Sequence, residues 1–500
     1  MERTLVDALA RDLAAADLTG GGVAALVGDA AQAALGRMVA APARRAALRS
    51  PGPRSTLLRA LVLGDRVPTA ELADALPELG VDGAVALGLV AVEGGTARPL
   101  LAVRPTPFRD ALGVGEWWIA SDLDELSGVS RLRPDHVLGV GGAARTLAAL
   151  LPPVRCGTAL DLGTGCGVIA LHLRRLADRV VATDVSERAL HLTRLNAALN
   201  GVDGIETRLG SLYEPVEGER FDLVASNPPF VITPRAEGVP AYEYRDGGRT
   251  GDALMAAVVQ GLGAHLRPGG AARLLGNWEA VGGRDGLARV EEWADASLDV
   301  WAIERETLDP AQYAALWLRD GGTLPRDPDH DRLLGAWLDD FERRGVDAVG
   351  MGWLALQSPP AGRCTARFER LPQPIALERA GAHLAEAFAA GEWLAQLDDA
   401  ALAAEHLQVA PDVTEVRHQR PGANGPTVIE LRQGGGLGRT VSVDTALAGL
   451  VGACDGELPV GTLVDAIAAL LEVDAGILAA DLLPRVRELV VTGFLRPVSD

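Results

Sequence analysis

Ala159-Leu160-Asp161-Leu162-Gly163-Thr164-Gly165-Cys166-Gly167-Val168-Ile169 reads as a buried strand, a glycine-rich turn and the start of a helix, the opening of a nucleotide-binding α/β unit. Glycine lacks a Cβ, so backbone there can turn sharply or approach a ligand closely. A short β-rich run follows at Arg179–Thr183 and is closed by Asp184, about twenty residues beyond the loop, where a carboxylate accepts hydrogen bonds from ribose hydroxyls. A second landmark is Asp222-Leu223-Val224-Ala225-Ser226-Asn227-Pro228-Pro229-Phe230, an apolar strand that runs into two prolines.

The glycine loop departs from the dinucleotide fingerprint, because Asp161 precedes Gly163, Gly165 and Gly167 in the order acid-x-Gly-x-Gly-x-Gly. That order resembles the class I S-adenosylmethionine methyltransferases. With Asn227-Pro228-Pro229-Phe230 after a later strand, the chain resembles their amino-methylating branch: the release-factor glutamine methyltransferases, the 16S ribosomal RNA guanine-N2 methyltransferases and the adenine-N6 enzymes. The resemblance covers roughly residues 112 to 305.

The 500 residues provide for several domains and a sizeable core. Arginine supplies all 47 basic side chains, and the formal net charge of −20 argues against indiscriminate nucleic-acid binding. Cys156, Cys166, Cys364 and Cys454 share no metal-ligand spacing, so no metal is expected and a reduced, cytoplasmic protein is. No basic-then-apolar signal segment opens the chain, and no apolar run reaches the roughly 18 residues that span a bilayer.

Three domains are expected. Residues 1–111 combine amphipathic helices with a winged-helix-like unit that ends in a hairpin around Leu89–Leu101. Arg37, Arg44, Arg45, Arg49, Arg54 and Arg59 follow one another there with no acid between Asp29 and Asp65, as a solvated face or a contact for an anionic partner. Residues 112–370 alternate strands and helices, which means a mainly parallel sheet covered on both faces with ligands at the strands' carboxyl ends. The fold class is therefore α/β, and the resemblance implies a Rossmann-like, seven-stranded methyltransferase sheet, with two helices inserted at about 309–345 beside the mouth of the site. Residues 371–500 form a second winged-helix-like domain with 8 arginines against 18 acids, a composition suited to a peptide or subunit contact rather than DNA.

The resemblance assigns roles residue by residue. Asp161, Gly163, Thr164, Gly165, Cys166 and Gly167 line the methionine and ribose side of S-adenosylmethionine, Asp184 takes the ribose hydroxyls, and Val185 packs on adenine. Ser211, beside Leu212, stands where the release-factor enzymes place an adenine-contacting Asp. Phe230 stands where they usually place Tyr, and stacks on a flat acceptor. Methyl transfer needs a nucleophile held in line with the methyl group. The Asn227 side-chain oxygen and the Pro228 carbonyl each accept one N–H of a planar NH₂, aiming its lone pair at the methyl, and Pro229 helps keep the turn out of a helix. Downstream, Tyr242–Asp252 resembles the glycine-rich turn after the catalytic loop of glutamine methyltransferases, and Arg245 and Arg249 are candidates to meet a carboxylate or phosphate of the substrate. His136 and Trp278 are read as structural.

The resulting expectation is a methyltransferase acting on a planar amide or amino nitrogen, first a glutamine-type side chain of a protein or peptide. The alternatives are an RNA guanine-N2 or adenine-N6 methyltransferase with Arg37–Arg59 as its RNA contact, and a binding protein that retains S-adenosylmethionine as a structural ligand. The sequence leaves the oligomeric state open.

Overall fold

The computed structural model describes residues 3–110, 112–129, 133–240, 245–359, 362 and 365–498. Tyr242, Glu243, Tyr244 and Cys364 lie outside the described residues. The centre is a mixed sheet made from strands β1 (Cys156–Leu162), β2 (Ala177–Asp184), β3 (Ile205–Leu209), β4 (Phe221–Ser226), β5 (Leu266–Val281), β6 (Asp299–Leu308), β7 (Val346–Gln357) and β8 (Ala366–Arg370). Their spatial order is β8-β6-β7-β5-β4-β1-β2-β3. Strands β3, β2, β1, β4 and β5 run parallel, and β7 is antiparallel to both β5 and β6.

Seven of these strands make the expected Rossmann-like methyltransferase sheet. The eighth, β8, pairs parallel with β6 and was not foreseen. Its sequence, Ala-Arg-Phe-Glu-Arg, carries three charges in five residues and hides the strand period. The central strands are buried on both faces, from Ala159 to Leu162 and from Leu223 to Ser226. That burial explains why they read as continuous apolar runs rather than alternating ones.

The covering helices include α1 (Gly142–Leu150), α2 (Val168–Leu176), α3 (Glu187–Leu199), α4 (Ala253–His265) and α5 (Gly286–Trp293). The insertion folds as two helices, α6 (Pro310–Asp320) and α7 (His330–Arg344). Asp309 starts α6 with a reciprocal capping box to Gln312, and Pro310 takes the first turn, where a missing N–H costs nothing.

In the N-terminal segment, strands Val67–Pro68, Thr96–Pro99 and Val90–Glu93 form a three-stranded sheet beside helices Thr69–Ala75 and Gly80–Ala86. A long hairpin of Leu101–Asp110 and Gly113–Asp122 then leads into the central fold. A division between 111 and 112 falls at the tip of this hairpin, so its two strands lie on opposite sides of that cut. Half of the basic stretch is engaged in ion pairs: Arg44 pairs with Asp65, Arg54 with Asp17, and Arg59 with Glu71.

In the last segment, strands Val413–His418, Val428–Gln433 and Thr440–Val443 form a meander of three. Leu495–Pro497 pairs with His406–Val409, so its partner comes from earlier in the chain. No helix among the described residues is long and apolar enough to cross a membrane.

Candidate active site

The chain order of the parallel strands reverses between β1 and β4, and a ligand site is expected beyond the carboxyl ends at such a point. Register sets the geometry. Leu162 lies opposite Ser226 on one side and opposite Thr183 on the other, so Gly163, Asn227 and Asp184 leave the sheet at one level. Ser226 fixes the β1–β4 spacing by donating its hydroxyl to the Leu162 carbonyl at 2.6 Å.

The glycine loop hangs from β2: the amides of Gly163 and Thr164 both donate to the Thr183 carbonyl at 2.9 Å. Gly163 and Gly165 have φ of +78° and +56°, and a Cβ on either would meet no protein atom within 4 Å. The loop thus turns bare backbone towards open space. Gly167, at φ +83°, is held for another reason: a Cβ there would lie 2.8 Å from the Thr193 methyl on α3.

Above these strand ends lies a cavity of about 450 Å³. Its lining includes Asp161, Gly163, Thr164, Gly165, Cys166, Asp184, Val185, Ser211, Leu212, Asn227, Pro228 and Pro229, which come from the ends of β1, β2, β3 and β4 and the four loops that follow them. Phe230, Gly167, Arg245 and Arg249 do not line it. Phe230 and Arg249 border a small adjoining cleft with Pro229 and Met255, and Phe230 packs edge-on to Trp317 of the insertion at 6.3 Å between ring centres.

Arg245 is buried and committed inside the fold, donating to the Trp317 carbonyl at 2.8 Å and to Asp320 at 3.1 Å. The structure therefore gives this expected substrate residue a holding position, while Arg249 is exposed at the rim. His136, read as structural, does line the cavity, together with Val137, Gly139 and Ala144 before and within α1. Trp278 is fully buried and donates its indole N–H to Glu304 at 2.7 Å.

Three aspartates line the cavity, Asp161, Asp184 and Asp246, the last of them paired with Arg235. Burial pushes Asp161 up to about 7, helped by the neighbouring Asp184 and opposed by the Thr164 hydroxyl, which donates to it at 2.6 Å. Burial also raises Asp184, against amides of Gly165 and Ser186 that each donate at 2.9 Å. Each Asp184 oxygen accepts one of these amides and keeps a lone pair for a ligand hydroxyl. Cys166 is buried and its thiol is pushed up to about 11, so it packs rather than reacts.

The Asn-Pro-Pro-Phe turn differs from expectation in one respect. The Pro228 carbonyl already accepts the Phe230 amide at 2.7 Å in a tight turn, leaving one of its two lone pairs. Asn227 is half-buried, and its Oδ1 is shielded from water with no hydrogen-bond partner. A buried carbonyl oxygen left unpaired costs about 1–3 kcal/mol, so the site holds an acceptor in waiting.

Sequence reasoning missed the residue that ties the glycine loop to the rest of the molecule. Asn196 on α3 is fully buried, exchanges two hydrogen bonds with the Ala120 backbone and donates a third to the Cys166 carbonyl at 2.8 Å. Its partners are 76 and 30 residues away, so no local pattern announces it.

The sheet order, the glycine loop and the turn after β4 define a domain with the Rossmann-like methyltransferase fold. More particularly, residues 139–280 match the methyltransferase small domain. Residues 15–100 and 385–497 match two domains of unknown function, DUF7059 and DUF7782.

Among curated relatives, the release factor glutamine methyltransferase of Xylella fastidiosa (strain Temecula1) is 40% identical over 128 residues, 24% of this chain and 46% of that one. The enzyme of the same name from Cereibacter sphaeroides is 40% identical over 167 residues, 30% of this chain and 58% of that one. Ribosomal RNA small subunit methyltransferase C of Salmonella newport is 29% identical over 163 residues, 32% of this chain and 43% of that one. The chain thus spans about half the length of the curated relatives it matches.

Proposed function

We propose that the chain is an S-adenosylmethionine-dependent N-methyltransferase whose acceptor is a planar amide or amino nitrogen, with a glutamine-type side chain of a protein or peptide as the first candidate. The observation that carries this reading is the Asn227 oxygen, buried and unpaired, on a turn that lines the same cavity as the glycine loop.

The residues present fit the cofactor. Asp184 at the end of β2 suits ribose hydroxyls, the bare backbone at Gly163 and Gly165 admits close approach, and Val185, 57% exposed, lines the cavity. When bound, the cofactor supplies a methyl group on a sulfonium, the activated half of the reaction. The chain supplies the other half by orientation. Asn227 Oδ1 accepts one N–H of the acceptor NH₂, and the free lone pair of the Pro228 carbonyl accepts the second. Both acceptors then stabilise the positive charge that grows on nitrogen.

The preference for protein over RNA is supported by the 40% identity to proteins named glutamine methyltransferases, by the net charge of −20, and by the ion pairs that occupy Arg44, Arg54 and Arg59. The reading takes the protein to be cytoplasmic.

The test uses tritiated S-adenosylmethionine and extract from cells lacking the protein. Label is expected in a protease-sensitive polymer. Nuclease-sensitive label would move the acceptor to RNA, and tight cofactor binding without label would leave a binding protein. Asn227→Ala is expected to cut transfer at least a hundredfold, about the loss of one transition-state hydrogen-bond partner, with cofactor affinity spared. Asp184→Ala should weaken cofactor binding at least tenfold, in line with the ~1.5–3 kcal/mol of hydrogen bonds to a charged group. Equal activity in either variant overturns the assignment.

A further inference from the structure

The loop that presents Asn227 is fastened to the insertion at three neighbouring positions. The Ile232 amide donates to the Tyr313 hydroxyl on α6 at 3.1 Å. Phe230 meets the edge of Trp317, also on α6. Val231 donates its amide to the Arg245 carbonyl at 2.8 Å, and the Arg245 head is in turn bound to the Trp317 carbonyl and Asp320 at the end of the same helix.

Tyr313 is the pivot. Its hydroxyl also accepts the Asn277 side-chain amide, on β5, at 2.7 Å, so a single oxygen joins the sheet to the acceptor loop. Tyr313 has no exposed surface, and its ring is caged by Trp317, Trp337 and Phe341 at about 6 Å between ring centres. The cage closes over Val231 and Ile232, which belong to the same buried cluster as the insertion's aromatics. A hydroxyl held this rigidly sets the height of the loop above β5, five residues from an acceptor oxygen whose direction the reaction depends on.

We infer that α6 is a positioning element for the acceptor site and that Tyr313 is a positioning residue for Asn227, holding the Asn-Pro-Pro-Phe turn in register through Ile232. The inference rests on the N-methyltransferase reading for its catalytic consequence, but its mechanical content stands by itself. Misplacement of a reacting group by about 1 Å costs on the order of a hundredfold in rate, so loss of this one oxygen shows in turnover before it shows in binding.

The experiment compares the full chain with Tyr313→Phe, which keeps the ring and removes the hydroxyl. Four readouts are taken: amide hydrogen exchange at Ile232, affinity for S-adenosylhomocysteine, the KM for S-adenosylmethionine, and the rate of tritium transfer into the polymer that the wild type labels. Exchange at Ile232 is expected to rise at least tenfold and transfer to fall at least tenfold, while affinity and KM change less than twofold.

Trp337→Phe keeps an aromatic ring in the cage wall and leaves both hydroxyl bonds. It is expected to lower the melting temperature and keep the rate. Arg245→Met cuts the second tie and should repeat the Tyr313→Phe signature, which keeps the idea testable if that variant fails to fold. Unchanged exchange at Ile232, unchanged transfer in both tie variants, or an equal rate loss in Trp337→Phe would each overturn the inference. If the wild type binds the cofactor product but labels nothing, the N-methyl reading fails separately, and exchange at Ile232 still decides the role of Tyr313.

Discussion

Asp161 has almost no exposed surface, and its carboxyl is pushed up to about 7 by burial beside Asp184. The same group titrates near 3.9 in an unfolded chain. Between about pH 4 and 7 the folded protein therefore holds a proton that the unfolded chain has lost. Its contribution to stability falls as pH rises through that window and levels off above it. A displacement of this size is worth about 4 kcal/mol. Asp161→Asn removes the titration, so thermal melts from pH 4.5 to 8 are expected to slope less steeply than those of the wild type. Identical slopes would show that Asp161 ionises freely in the fold. The position of this residue was legible because strand, acid and glycines are consecutive in sequence; the unusual proton affinity was not, since burial by α2 and proximity to Asp184 are properties of the folded chain.

The elements around the glycine loop differ in how openly the sequence declares them. Strands β1 and β4 are short apolar runs ending in turn residues, and α3 begins at the Ser186 cap, so all three could be placed from local pattern. The insertion, expected at 309–345, is found as helices at Pro310–Asp320 and His330–Arg344. Its grip on the acceptor loop could not be read, because Tyr313 reaches Ile232 across 81 positions and Arg245 reaches Asp320 across 75.

Asn196 belongs to the same hidden class. It joins three elements: the hairpin strand at Ala120, α3, and the loop at Cys166. Truncation to Ala would strand a buried amide and two carbonyls. With each unpaired group costing about 1–3 kcal/mol, the expected loss is about 3 kcal/mol in denaturant unfolding, accompanied by weaker cofactor binding as the loop loosens. A loss within about 0.5 kcal/mol, the ordinary range for a surface change, would show that water replaces the side chain.

At the scale of the whole molecule, the three-unit division read from the sequence meets a core that ignores its first boundary. One apolar cluster runs from Val6, Leu9 and Leu13 through Leu61 and Ile119 to Leu171, Leu192 and Leu195, so N-terminal helices and the helices over β1 and β2 pack into the same interior. Polar ties cross there too: Trp118 donates its indole N–H to the Leu18 carbonyl at 2.7 Å, and Asn200 brackets the Trp118 backbone. A second cluster is confined to residues between Leu394 and Leu495, while Leu384, Phe388 and Leu437 belong to the first; the ion pairs that join it to the sheet include Arg367 with Glu488 near the surface and Arg439 with Glu369 largely buried.

Heat should therefore separate the molecule late in the chain, not near residue 111. Calorimetry of the full chain is expected to resolve one transition for the N-terminal and central parts together and another for the C-terminal part. A chain beginning at Leu101 exposes the surface that Val6, Leu9 and Leu13 cover, and should aggregate or melt at least 10 °C lower, since several buried leucines and valines contribute about 1.5–3 kcal/mol each. If that shortened chain keeps the wild-type melting temperature and cofactor affinity, the N-terminal segment is an appendage, and the common interior inferred from these contacts does not bear on stability.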